Sequence, residues 1–176
     1  MFPSWVRQQT NAIECRVIGG GAARGLCGSG LVDAVAVGLE IGAITPSGRL
    51  GTDWPLKDGV TLTPHDVREL QLAKGAIAAG LKLLTARFGA TPADLTTLYL
   101  AGAFGNAVSR TAAHRIGLLR LPADRIVSVG NTALKGTKQA LFADLVDFET
   151  LAQQIDYLPL NEEPGFQDVF AEEMGF

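Results

Sequence analysis

The segment Thr96 to Asn106, Thr-Thr-Leu-Tyr-Leu-Ala-Gly-Ala-Phe-Gly-Asn, constrains this chain more than any other. An apolar run with strand propensity opens straight into a turn of small residues, and a helix-like segment follows. Glycine has no side chain to hold a ligand away, so such an elbow lets backbone approach it closely. The pattern returns about 25 residues on as Arg125-Ile126-Val127-Ser128-Val129-Gly130-Asn131, again ahead of a helix-like segment. Two strand–Gly–Asn–helix units in succession describe an α/β nucleotide-binding edge, with the elbows at the tips of neighbouring strands.

The rest of the chain must supply a body for that edge. At 176 residues, with 47% hydrophobic and 19% charged residues, it can bury the core of one domain but not comfortably of two. A net charge of −3 gives no electrostatic footprint for nucleic acid. No run of about 18 apolar residues marks a membrane span, and the start, Met1-Phe2-Pro3-Ser4-Trp5-Val6-Arg7, lacks the layout of a secretory signal. The expected location is therefore cytoplasmic. Cys15 and Cys27, without a C-x-x-C partner, read as reduced thiols rather than as a disulfide.

Along the chain, residues 1–12 are polar and read as an irregular tail, and residues 13–176 as the domain. Ile13 to Ile18 can form a strand ending at Gly19-Gly20-Gly21, and Ser29 can cap a buried helix from Leu31 to Leu39. Residues 43–62, with Pro46, Gly48, Gly51, Pro55 and Gly59, read as a surface excursion. Thr63-Pro64-His65-Asp66 is a strong helix start, and the helix runs to about Phe88 before Gly89 stops it. Val67, Leu70, Ile77, Leu81, Leu84 and Phe88 follow the helical period, with Lys74 in a slot where that period expects an apolar side chain. Further helices are expected near 108–118, 133–143, 147–154 and 166–174, and a last strand over Ile155 to Leu160. The alternation predicts an α/β fold: a mixed sheet with helices on both faces.

The candidate site residues each carry two readings. Gly28, Ser29 and Gly30 could present backbone N–H groups to an anion at a helix start, or simply form a tight turn. Gln71 and Lys74 lie on one side of their helix and could contact a ribose or phosphate edge; Lys74 could equally snorkel from the core. Gly102, Ala103, Phe104, Gly105 and Asn106 could close over an adenine, Phe104 offering a face and Asn106 an amide, or Asn106 could cap the next helix. Asn131 carries the same two readings. Cys27 could ligate a metal, but no partners stand at ligand spacing, so no metal site is expected. Neither His65 nor His114 has the neighbours of a nucleophilic triad, and no catalytic residue is assigned.

Three stretches together resemble a known family: Arg24 to Ala34 (Arg-Gly-Leu-Cys-Gly-Ser-Gly-Leu-Val-Asp-Ala), Asp66 to Lys74 (Asp-Val-Arg-Glu-Leu-Gln-Leu-Ala-Lys), and Leu100 to Asn106. Ile116 to Leu119 and Val127 to Asn131 continue the likeness over roughly residues 13–170. The family is the C-terminal ATPase domain of the reductive activators of corrinoid proteins, within the superfamily of acetate and sugar kinases, actin and chaperone ATPases. The resemblance implies a ribonuclease-H-like, actin-like fold and an ATP-dependent activator that returns a corrinoid partner from Co(II) to Co(I). It implies ATP as ligand, with Mg²⁺ in the complete protein, and electrons delivered by an iron–sulfur cluster in a separate N-terminal domain. It also matches the Ala101–Gly105 turn to an adenosine motif, and Gln71 and Lys74 to a helix that touches ribose and adenine in relatives.

The chain departs from that pattern as well. It lacks the cysteine-rich ferredoxin-like domain and the acidic, glycine-containing phosphate loop that relatives place before Ile13. The expectation is an incomplete ATPase domain without its first hairpin, inactive alone, leaving a strand edge for a missing N-terminal portion, a second subunit or a homodimer partner to cover. Two alternatives stay open. One is the activator of a 2-hydroxyacyl-CoA dehydratase, which has a turn comparable to Cys27-Gly28-Ser29-Gly30 but needs a second cysteine downstream. The other is a non-catalytic binding or oligomerisation module.

Overall fold

The protein is described here by a computed structural model covering residues 6–9, 12–142 and 145–176. Strands β1 (Val6–Gln9) and β2 (Ala12–Cys15) pair antiparallel, Val6 opposite Cys15 and Gln9 opposite Ala12. Residues 6–9 are therefore a strand where an irregular tail is predicted, and it pairs with the strand that holds Ile13. Residues 1–5, 10 and 11 of that tail lie outside the described residues. Helix α1 (Gly28–Glu40) follows, then a second antiparallel pair, β3 (Trp54–Lys57) and β4 (Val60–Leu62).

This second hairpin lies within the predicted surface excursion. Asp58 and Gly59 both take positive φ, 51° and 80°, the backbone that a two-residue hairpin turn demands. Trp54 and Leu56 alternate inward with Lys57 outward, and Leu62 is fully buried. An isolated bridge between Ile44 and Leu50 closes the loop that precedes it.

Helix α2 (Pro64–Arg87) starts as its sequence dictates. The Thr63 hydroxyl accepts the Asp66 N–H at 3.2 Å, and the Asp66 carboxylate accepts the Thr63 N–H at 2.8 Å, a reciprocal capping box. Its buried face is Val67, Leu70, Gln71, Lys74, Gly75, Ala78 and Ala79. Ile77, Leu84 and Phe88 lie outside it, Phe88 at 89% exposure, so the predicted stripe is correct for the first two turns and rotated thereafter. Small residues at 75, 78 and 79 carry the buried face because helix α7 (Phe166–Glu172) packs close against them, with Phe170 and Met174 filling the space over Gly75.

Strand β5 (Leu98–Ala101), helices α3 (Gly102–Ala107) and α4 (Arg110–Arg115), strand β6 (Ile126–Gly130), and helices α5 (Thr132–Ala140) and α6 (Leu145–Ala152) complete the order before α7. The described strands form three separate two-stranded sheets instead of the single mixed sheet predicted, and β5–β6 is the parallel one. Residues 155–159 form no strand; Pro159 lacks a ladder donor and Tyr157 is exposed. The core is continuous nonetheless, joining Val32, Val35 and Val37 of α1 to Val67 and Leu70 of α2, Ala113 and Ile116 at α4, and Leu121 and Ile126 beside β6. No helix among the described residues is long and apolar enough to cross a membrane.

Replacing Thr63 with Ala removes one half of the capping box and should lower the unfolding free energy by about 1 kcal/mol in urea titration. An unchanged midpoint would show that Pro64 and Asp66 start the helix without it.

Candidate functional site

The β5–β6 pairing decides where the two elbows fall. Leu98 lies opposite Ile126, Tyr99 opposite Val127 and Leu100 opposite Ser128, and after a register shift Ala101 lies opposite Gly130. Both strands therefore end at the same level and in the same direction, as predicted. Gly102 turns the chain with φ +86°, a conformation that strains any other residue, and α3 begins there without a side-chain cap. The Ser128 hydroxyl donates to the Gly105 carbonyl at 3.3 Å, tying α3 to β6.

Asn131 takes its capping role: its Oδ1 accepts the Leu134 N–H at 3.0 Å at the start of α5. Asn106 does not cap. It sits exposed inside α3, and Ser109 caps α4 by accepting the Ala112 N–H at 3.3 Å. Its amide and the exposed Ala103 are thus available at the elbow's surface.

Helix α1 brings its N-terminus to the same place. A Cβ built on Gly28 would lie 3.2 Å from the Phe104 ring, so the bare glycine is what lets α3's aromatic side chain settle against the start of α1. Phe104 remains 47% exposed, with ring surface free beyond that contact. The cap is Cys27 and not Ser29: the Cys27 sulfur accepts the Gly30 N–H at 3.4 Å, and the buried Ser29 hydroxyl lies 3.4 Å from that same sulfur. A hydroxyl two residues too far along cannot reach the first free N–H groups, whereas Cys27 has the extended backbone of a cap.

Beside this helix start lies a cavity of about 490 Å³ lined by both cysteines, Gly30, the glycine-rich segment 20–25, and three cations, Arg16, Arg24 and Lys57. The Asp58 carboxylate accepts the Ala23 N–H at 2.9 Å and Lys57 donates to the Cys15 carbonyl at 3.2 Å, so the β3–β4 turn braces the glycine-rich loop. Burial pushes the Cys15 thiol above its ordinary pKa, and Lys57 opposes that shift. The cations of this cavity were not among the residues singled out from sequence. Arg16 and Arg24 flank the triple glycine, and Lys57 comes from the β3–β4 hairpin within the predicted surface excursion.

Gln71 and Lys74 take partners other than the predicted ones. Lys74 is 0% exposed, and its ammonium donates to the main-chain carbonyls of Glu173 and Gly175. Gln71 Nε2 donates to the carbonyls of Ser47 and Met174, each at 3.1 Å. In this structure their polar ends are engaged by the segment after α7 and by Ser47, where the sequence reading expects a ribose or phosphate edge. The sequence showed a lysine on a core stripe; the carbonyls it binds lie about a hundred residues away and carry no side-chain signature. Desolvation, and then the nearby Arg120, hold the Lys74 ammonium below its ordinary pKa, with Glu173 opposing. Among the described residues, no group of three or more His, Cys, Asp or Glu comes together.

Parallel strands ending in glycine elbows, a capped helix meeting one of them and a cationic cavity at its start define a domain of the α/β class. Comparison with known proteins narrows this: residues 4–176 match the family described as the C-terminal domain of RACo, the ASKHA domain, and the chain belongs to that family. It is 33% identical over 165 residues to the "Corrinoid activation enzyme RamQ" of Eubacterium limosum, covering 77% of this chain and 28% of that protein. It is 31% identical over 161 residues to the "[Co(II) methylated amine-specific corrinoid protein] reductase" of Methanosarcina barkeri, covering 86% of this chain and 29% of that protein. A solved structure, "Reductive activator for corrinoid,iron-sulfur protein", superposes with a TM-score of 0.79 at 26% identity over 94% of this chain and 30% of its own. The chain thus spans under a third of the length of these relatives.

The Lys74 shift has a definite sign. A folded-state pKa below 10.5 means the unfolded chain binds more protons between that lowered value and 10.5, so stability rises with pH across this window. The difference in unfolding free energy between the native chain and Lys74→Met should therefore grow in the native chain's favour as pH climbs through it. A flat difference would show an ammonium that folding does not desolvate.

Proposed function

We propose that this chain is the adenosine-binding ASKHA part of a reductive activator of corrinoid proteins, with a ribonuclease-H-like, actin-like fold over residues 13–176. The observation that supports it best is the meeting of Gly28 with Phe104 beside the paired elbows Ala101 and Gly130. The adenine would lie over the Gly102–Asn106 elbow with Phe104 as its apolar face and the Asn106 amide as a hydrogen-bonding edge. Gly130 and Asn131 would border the ribose. The phosphates would reach the start of α1 at Gly28, Ser29 and Gly30, where Arg16, Arg24 and Lys57 set a positive field.

The residues present fit an anionic nucleotide: cations line the cavity, and glycines leave the backbone open to it. Bound ATP, with Mg²⁺ in the complete protein, would supply binding or hydrolysis energy that changes how activator and partner engage. The names of the relatives support a corrinoid protein as the partner, a Co(II) one in the Methanosarcina barkeri relative; its return to Co(I), with electrons from an iron–sulfur domain, belongs to the same proposal. This chain's own residues would hold the nucleotide and pass its state to the surface.

Calorimetric titration tests the reading. ATP and ADP should bind the native chain; Phe104→Ala should weaken adenosine and ATP alike. Arg24→Ala should weaken ATP about tenfold or more, as the loss of a charge-assisted hydrogen bond implies, and leave adenosine nearly unchanged. Native chain without affinity for any of the three, or Arg24→Ala and Phe104→Ala without effect, would overturn it.

A further inference from the structure

The largest fully buried side chain among the described residues is a lysine, and it lies outside the proposed nucleotide site. Lys74 reaches two carbonyls of one short segment, Glu173 and Gly175, while Gln71, one helical turn earlier, takes the carbonyl between them, Met174. The segment is fixed on its far side too, because the Phe176 N–H donates to the Pro46 carbonyl at 2.9 Å and Gln71 also holds Ser47. Its side chains add an outer clasp: the Glu173 carboxylate lies 2.7 Å from Arg120 and 3.6 Å from Lys82. Lys74 also fills the space over Gly117, where a Cβ would stand 3.2 Å from its Cε and Nζ.

An ammonium buried without partners would not survive in the core, and a carbonyl oxygen buried without a donor also costs free energy, though far less. The fully buried ammonium finds its acceptors in the Glu173 and Gly175 carbonyls, so it is satisfied only when that segment is in place. The consequence is an all-or-none device. We propose that residues 173–176 are a strap latched by Lys74 and Gln71, closing α2, the Pro46–Ser47 turn and the Gly117 turn into one unit that opens only as a whole. The Glu173 carboxylate is itself buried, but its partners Arg120 and Lys82 reach water, so these pairs add to the latch without replacing the Lys74 ammonium. Gly117 ends α4, and α4 follows the elbow helix α3 directly, so the strap braces the unit that carries the elbow.

Hydrogen exchange at the Phe176 amide in the 176-residue chain, combined with a double-mutant cycle, tests the latch without any nucleotide. Lys74→Met should speed that exchange about tenfold or more, and so should Gln71→Ala. The Lys74→Met and Gln71→Ala double variant should exchange no faster than the faster single variant, because one opening event is being measured. Glu173→Gln should speed the exchange less than Lys74→Met does, because the ammonium keeps its carbonyl partners. If Lys74→Met does not fold, the cycle is run with Gln71→Ala and removal of Gly175 and Phe176, read by urea midpoint, with the same expectation of non-additive loss. Independent, additive effects, unchanged exchange in Lys74→Met, or a larger effect from Glu173→Gln than from Lys74→Met would each overturn the proposal. A chain that binds no ATP but shows the non-additive cycle keeps the latch and loses only the nucleotide site.

Discussion

Parallel pairing of β5 with β6 is the constraint on which the site depends. Hydrogen bonding between parallel strands fixes both the direction and the level at which each strand ends, so the two glycine turns need no further device to stand together. The bonds from the Ser128 hydroxyl to the Gly105 carbonyl and from the Leu134 N–H to the Asn131 side chain then aim the helices that leave those turns. Helix α1 adds a third boundary only because Gly28 is bare where Phe104 arrives. Slip the pairing by one residue and Tyr99 and Val127, now outward, would exchange places with the core residues Leu98 and Ile126.

A second constraint holds the far side of the molecule. A buried cation answered by main-chain carbonyls fixes the path of residues 173–176 through their backbone. It also explains why α2 carries so many small residues on its inner face. The helix must sit close enough to α7 for a lysine of ordinary length to span the gap, and Gly75, Ala78 and Ala79 permit that approach.

How much of this could be seen in the amino-acid order follows from the range of each interaction. The α2 start was legible because its partners, Thr63 and Asp66, are three residues apart. The β5 and β6 elbows were legible because strand, glycine and helix are contiguous, and the family resemblance gathers those same stretches. The β3–β4 hairpin was legible and misassigned: Asp58-Gly59 between Trp54-x-Leu56 and Val60-x-Leu62 is a hairpin signal, masked by the prolines and glycines around it. Lys74 is legible as a cation in an apolar slot, with Gln71 on the same side of the helix, but the partners they take in this structure are not. Backbone carbonyls have no letter in a sequence, and these arrive from residues 173–175, across the whole domain. The cap of α1 fell to Cys27 because cap geometry is set by backbone conformation, which residue preference only approximates.

Amide chemical-shift mapping during titration with ADP reports on every part of this account at once. The account predicts concerted shifts at Gly28 to Gly30, Gly102 to Asn106, and Gly130 to Asn131, with the Gln71 side-chain amide and the Phe176 amide left in place. Shifts confined to Gln71, Lys74 and residues 173–176, with the elbows silent, would contradict it.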